Sequence, residues 1–192
     1  MFELLKANVN RRVQLTDAEF ETVSGFFKVR VLKRKEYLLT AGDISYFSAF
    51  VNKGCLISYY LDEKGIARVI QFAIEDHWVG DLYSLITHKP SEIYIEALED
   101  SELLILSAND QEKLYQEVPK MERMFRLLVQ NAYVATQRRL NSALSISADE
   151  RYLELLKKYP GITQRVPLAH IASYLGITPE SLSRIRKQLV KK

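Results

Sequence analysis

The chain of 192 residues contains one cysteine, Cys55, and three scattered histidines, and no apolar run approaches the roughly 18 to 20 residues that a membrane span requires. A single cysteine excludes an internal disulfide framework, a four-cysteine zinc site and a cysteine-ligated iron–sulfur cluster within one chain. Its simplest reading is a small buried apolar residue. The opening residues, Met1-Phe2-Glu3-Leu4-Leu5-Lys6, lack the basic and apolar blocks of a signal peptide, so a cytoplasmic protein with no membrane partner is expected. Nucleophile elbow, phosphate loop and metalloprotease motif are all missing, which argues against an enzyme and implies no catalytic residue, metal or cofactor. His77 beside Trp78 is the one candidate haem ligand, but a lone histidine on a β-domain is more often a satisfied structural residue.

Charge is present but unevenly placed. Residues 157–192 hold eight lysines or arginines against the single acid Glu180, a net +7 in a chain of net +3, which leaves −4 for residues 1–156. The positive field is thus concentrated where a phosphate backbone could use it. A basic tail by itself is usually solvated surface, so the pattern within the segment has to carry the argument.

Residues 29 to 107 read as short strands separated by turn signals at Gly42-Asp43, Lys53-Gly54, Glu63-Lys64-Gly65 and Val79-Gly80-Asp81. Ile66, Arg68, Ile70 and Phe72 alternate irregularly, whereas Ile93-Tyr94-Ile95 and Leu103-Leu104-Ile105-Leu106 look buried on at least one face. This predicts an all-β domain, a sandwich or a roll rather than βαβ units, preceded by a short helix over Thr16 to Phe27 that opens with a capping signal. After Ser107, a plausible N-cap, the composition turns helical, and Pro119 separates a short helix from a long one.

In that long helix Met121, Phe125, Leu128, Ala132 and Ala135 recur at intervals of four and three, a seam of the coiled-coil kind. A second row, Met124, Leu127 and Val134, could serve a contact with the helix's own β-domain. Two rows predict one packing on the roll and one on a second copy of the chain, through residues 119–144. Ser147-Ala148-Asp149-Glu150 is a capping box that starts another helix, ending at Tyr159-Pro160-Gly161, which makes 145–147 the expected hinge. The stretch from Gly161 to Val166 is read as a short hairpin with Arg165 near phosphate. The expected organisation is a β-domain over 1–118, a dimerisation helix and hinge over 119–146, and a C-terminal domain over 147–192.

The run from Pro167 to Leu189 contains two short helical patterns joined at Leu175-Gly176-Ile177. Leu168, Ile171, Ala172 and Leu175 form the inward face of the first, with Ala172 small where the second helix crosses it. Gly176 can take the positive φ of the turn, and Ile177 plugs the corner. Thr178 caps the second helix, Pro179 is preset for its first position, and Glu180 meets the positive end of the dipole. Leu182, Ile185 and Leu189 form its buried stripe, leaving Glu180, Ser181, Arg184, Lys187 and Gln188 outside. Arginine grips guanine in bidentate fashion and glutamate accepts from cytosine, so Glu180 and Arg184, one turn apart, form a sensible base-reading pair on double-stranded DNA. The bland alternative is a salt bridge between them. Ser183, Arg186, Lys191 and Lys192 flank that face, where phosphate contacts are expected, and Thr178 is counted with the DNA-binding residues.

A β-roll, a long helix and a C-terminal helix-turn-helix, in that order, resemble the Crp/Fnr family of transcription regulators over nearly the whole chain. Gly80-Asp81-Leu82 looks like the Gly-Glu-Leu that opens the family's phosphate-binding cassette, whose acid holds the ribose of a cyclic nucleotide. Thr178-Pro179-Glu180-Ser181-Leu182-Ser183-Arg184-Ile185 is similar to the family's recognition helix, in which a Glu and an Arg contact base edges. The resemblance implies an α+β fold with an antiparallel, jelly-roll-like β-roll as sensor domain over 1–118, a long dimerisation helix, and a winged-helix-like DNA-binding domain over 147–192, here with a reduced wing, since only Val190-Lys191-Lys192 follow the recognition helix.

Two departures stand out. Pro179 replaces the Arg typical of cyclic-AMP-responsive members. The cassette of nucleotide-binding members closes on Arg-Ser/Thr-Ala, whereas the corresponding stretch here is Ser91-Glu92-Ile93, and a carboxylate at Glu92 repels phosphate. Burying a phosphate without a cation is costly. Gly80, Asp81, Leu82, Ser91 and Glu92 are therefore expected to form a degenerate effector pocket that binds cyclic AMP weakly or not at all, with another small-molecule effector, or none, in its place. The competing class is a ligand-sensing protein whose helix-turn-helix mediates protein contacts.

Overall fold

The capping signal at Thr16 translates directly into a helix start, whereas the first helix, Glu3–Asn10, begins without a side-chain cap and has no counterpart among the expected elements. The structure, a computed structural model, describes residues 1–190. Helix α1 (Glu3–Asn10) precedes α2 (Asp17–Gly25), whose cap Thr16 accepts the Glu19 amide at 3.2 Å while the Glu19 carboxylate accepts the Thr16 amide at 2.7 Å. Eight strands follow: β1 (Lys28–Leu32), β2 (Tyr37–Leu39), β3 (Phe47–Lys53), β4 (Leu56–Leu61), β5 (Ala67–Ala73), β6 (Trp78–Val79), β7 (Tyr94–Ala97) and β8 (Ser101–Ser107), with α3 (Leu82–Thr87) between β6 and β7. They form two four-stranded sheets, β1-β8-β3-β6 and β2-β7-β4-β5. The expected β-roll is present.

The continuous apolar runs of β3 and β8 have a simple cause. Successive side chains in a strand point to opposite faces. Ala49, Val51 and Leu103 join Leu56, Val79 and Ile95 in the core between the sheets, while Phe50, Leu104 and Leu106 face the helices and join Leu5, Val9, Val23 and Leu114. Both faces of these two strands are covered, so no polar alternation survives in their sequence. Cys55 is buried, as its apolar reading requires.

After β8, Ser107 caps α4 (Ala108–Glu117) through its hydroxyl, Pro119 interrupts, and α5 (Lys120–Ser145) runs for 26 residues. Here the expected seam needs correction. Met121 and Phe125 are buried in the β-roll's helical layer beside Met124, and Leu128 packs against the same cluster. The indole of Trp78 meets Phe27, Phe50 and Phe125 at centroid separations of 6.1, 5.4 and 5.1 Å. Most of the row read as a dimer seam is therefore intramolecular core, and only Ala132 and Ala135 of it are exposed. The other row fares likewise: Met124 packs on the roll, but Val134 is exposed. Spacing records that a helix face is apolar and does not say what covers it.

The chain divides into two compact units, Met1–Ser58 with Phe72–Asn131, and Tyr59–Gln71 with the chain from Ala132 onward. In the second unit α6 (Ala148–Lys158) starts at the predicted capping box, Ser147 and Glu150 each accepting the other's amide at 3.3 and 2.9 Å. Residues 161–166 are not a hairpin. Gly161 takes φ +76° and α7 (Ile162–Arg165) makes a single helical turn, because Pro160-Gly161 ends one helix without starting a strand pair. α8 (Leu168–Leu175) and α9 (Pro179–Val190) complete the fold. No helix among the described residues is long and apolar enough to cross a membrane.

Candidate nucleic-acid interface and effector pocket

The turn between α8 and α9 is built by residues of few alternatives. Gly176 adopts φ +69°, a left-handed conformation costly for residues with a Cβ, and ends α8 with its amide donating to Ser173 at 3.0 Å. The Ile177 amide returns to the Ala172 carbonyl at 3.0 Å, closing the helix end. Ile171, Ala172 and Leu175 of α8 are buried together with Leu182 and Ile185 of α9. Leu168, Ile177 and Leu189 are half-buried at the margins.

Thr178 initiates α9 as the sequence requires: its hydroxyl accepts the Ser181 amide at 3.2 Å. Thr178, Glu180, Ser183, Arg184 and Lys187 are exposed, with Ser181 and Arg186 half-buried at the edges of that face. Arg184 donates to Ser181 Oγ at 3.5 Å, a long contact that leaves the guanidinium free to extend. Glu180 is held below the usual carboxylate range, first by its own backbone N–H, then by the Thr178 side chain, and least by the charge of Arg184. The helix start contributes more to this shift than the ion pair does. The expectations for Lys191 and Lys192 lie outside the described residues.

In the β-roll, Gly80 sits in a tight place, since a Cβ there would lie 3.3 Å from the Phe47 carbonyl oxygen. Asp81 is buried and is the N-cap of α3, its Oδ1 accepting the Tyr83 and Ser84 amides at 3.0 and 3.3 Å. Ser84 is buried as well, donating to the Lys89 carbonyl at 2.7 Å and accepting the Ser45 amide at 2.9 Å. Ser91 is zipped to the 42–43 loop: Gly42 donates to its carbonyl and its own amide donates to Asp43, both at 2.8 Å. Its hydroxyl is occupied locally with Ile93, at 3.1 Å as acceptor and 3.2 Å as donor. Leu82 and Glu92 are exposed. Asp81 and Ser91 are thus each bonded into their own local backbone network, Asp81 with the start of α3 and Ser91 with the 42–43 loop, while Leu82 and Glu92 are left outside both. His77 Nδ1 lies 3.0 Å from the Glu75 carbonyl oxygen, a local backbone contact in keeping with a structural residue.

Residues 29–118 match the model of the cyclic nucleotide-binding domain. The chain has the Crp/Fnr fold. The c-di-GMP-responsive global regulator CLP of Xanthomonas campestris is similar at TM-score 0.72 and 17% identity, covering 92% of each chain. FixK2 of Bradyrhizobium japonicum has TM-score 0.72 at 19% identity, over 86% of this chain and 85% of its own. The catabolite activator protein of Thermus thermophilus has TM-score 0.62 at 20% identity, over 96% and 87%. Among curated proteins, none matches the chain. In this Crp/Fnr fold, sequence reasoning missed the cap role of Asp81, although an Asp followed two and three residues later by free helix amides is a local signal. It also missed Tyr133, Leu140 and Leu144, exposed on α5 at 64%, 61% and 81%, whose intervals of seven and four were visible.

Proposed function

We propose that this chain is a homodimeric, sequence-specific DNA-binding transcription regulator of the Crp/Fnr type, working in the cytoplasm, and not an enzyme. The observation that carries the reading is the outer face of α9, where Glu180, Arg184 and Lys187 project from a helix fixed by the Thr178 cap and the Gly176 turn. Residues 1–118 are the sensor domain, 119–146 the dimerisation helix and hinge, and 147–192 the DNA-binding domain. Glu180 and Arg184 read base edges in the major groove, and Thr178, Ser181, Ser183, Arg186 and Lys187 hold the backbone and register. Two recognition helices enter successive major grooves about 34 Å apart on a two-fold site.

The dimer contact is assigned to the exposed apolar residues of α5 that the roll leaves uncovered, Val129, Tyr133, Leu140 and Leu144, on a helix whose first turns are committed to the roll through Met121, Met124 and Phe125. Cyclic AMP is not the effector. Asp81 already occupies the Tyr83 and Ser84 amides that a phosphate at the start of α3 would need, and Glu92 adds an acid where neutralisation requires a cation. The residues present do not fit a cyclic phosphate. The fold is compatible with other effectors, as the c-di-GMP-responsive Xanthomonas campestris relative illustrates.

The test is duplex binding followed by anisotropy at several salt concentrations. Phosphate neutralisation makes the logarithm of affinity fall with the logarithm of salt at about 0.9 per contact. A steep slope supports the DNA reading, and binding that is flat in salt favours a protein-contact role.

A further inference from the structure

Strand β5 ends its sheet, so one edge of it has no strand neighbour among the described residues. Within the second unit that edge is met by a helix. The Ser173 hydroxyl of α8 accepts the Val69 amide at 3.0 Å and donates to the Ala67 carbonyl at 2.8 Å. A residue of a parallel neighbouring strand would engage the same pair of groups, the carbonyl of one residue and the amide two further on. One side chain of the helix-turn-helix thus stands in for a strand residue. Beside it Arg139 of α5 donates to the Ile70 carbonyl and lies over the Tyr174 ring, 5.0 Å from its centroid.

The other end of α8 is held from the hinge. Arg151 of α6 donates through Nη1 to the Ile146 carbonyl at 2.7 Å, between α5 and α6, and through Nη2 to the Leu175 carbonyl at 3.2 Å, the last residue before the Gly176 turn. Its Nε is buried without a hydrogen-bond partner, so the guanidinium gives up solvation to span those two carbonyls. The planar fork of arginine can do this, whereas the point charge of lysine cannot.

We infer that Ser173 and Arg151 are positioning residues which fix α8, and with it the recognition helix, against the β4–β5 hairpin and the end of α5, and so set the half-site spacing that the dimer accepts. This rests on the DNA-reading function proposed above. Neither residue lies on the outer face of α9, so the base read by Arg184 does not depend on them. The orientation of that helix does.

The full-length chain tests this as wild type, Ser173→Ala, Ser173→Thr and Arg151→Lys, titrated with duplexes of constant half-sites whose centre-to-centre spacing changes by one base pair at a time. Wild type should lose about tenfold in affinity per step from its preferred spacing, and Ser173→Ala and Arg151→Lys should flatten that ladder to within about threefold while keeping the same base preference. Ser173→Thr should restore the ladder. Variants with an unchanged ladder overturn the inference, and so do variants that lose base preference and spacing preference together, which marks general damage to the domain. Failure of the DNA reading shows separately, as wild type that selects no duplex. The inference is then decided without DNA, by the distance distribution between spin labels at Lys64→Cys and Gln188→Cys, both exposed positions, with Cys55 buried away from the label. A narrow distribution that broadens on Ser173→Ala supports positioning, and one that Ser173→Ala leaves unchanged overturns it.

Discussion

The indole of Trp78 stands edge-on to the ring of Phe125, with centroids 5.1 Å apart and planes inclined by 71°. Phe125 also meets Tyr115 at 5.9 Å, so the first turns of α5 are an integral part of the β-roll's helical layer. Replacing Phe125 by Ala should therefore cost about 3–5 kcal/mol of unfolding free energy, the usual range for a large aromatic lost from a core. Urea denaturation measures it, and the fraction that remains folded should keep its oligomeric state.

Tyr133 and Leu140 are expected to behave in the opposite way. Both are exposed on the second half of α5. Leu140→Glu should convert the dimer to a monomer in light scattering while changing the unfolding of the isolated subunit by no more than about 0.5 kcal/mol, the scale of surface substitutions. A dimer that survives both Tyr133→Asp and Leu140→Glu would place the interface elsewhere.

The carboxylate of Asp81 is spent inside the protein. Asp81→Ala removes the cap of α3 and should lower stability by about 1 kcal/mol. For wild type, cyclic AMP at millimolar concentration should produce neither heat in calorimetry nor a rise in melting temperature, since a ligand that binds the native state must stabilise it. A saturable rise would contradict the degenerate pocket.

Acid sensitivity has a local contributor at the start of α6. The Glu150 carboxyl is held below its ordinary value of 4.5, chiefly by the backbone N–H of Ser147 and then by the Ser147 hydroxyl. Because the folded value is depressed, this contribution is present above the unfolded value and is lost as pH falls through the folded one. The stability difference between wild type and Glu150→Gln should thus be greatest at neutral pH and shrink as pH drops below about 4.5. Unfolding curves at pH 7 and pH 3 measure it.

What the sequence makes legible follows from how local each signal is. Gly176, Thr178 and Pro179 specify a helix end and a helix start within four residues, and the structure places both there. Thr16 with Glu19 and Ser147 with Glu150 are equally short-range. The seam of α5 was misassigned because Met121 and Phe125 keep the same spacing whether they meet a second copy or Trp78, which is 47 positions from Phe125 in the sequence. Ser173 and Arg151 were invisible for a related reason: their partners are backbone carbonyls and amides, which every residue carries, so no side-chain pattern marks the pairing.

The most direct test of the central claim is selection from a pool of randomised duplexes by wild type and Arg184→Ala at two salt concentrations. Wild type should select a two-fold symmetric site, and Arg184→Ala should lose preference at one base step in each half-site, with a penalty of about 1–3 kcal/mol per lost contact. Selection by Arg184→Ala of the same site with undiminished preference at every step would contradict that claim, as would a wild type that binds all duplexes alike.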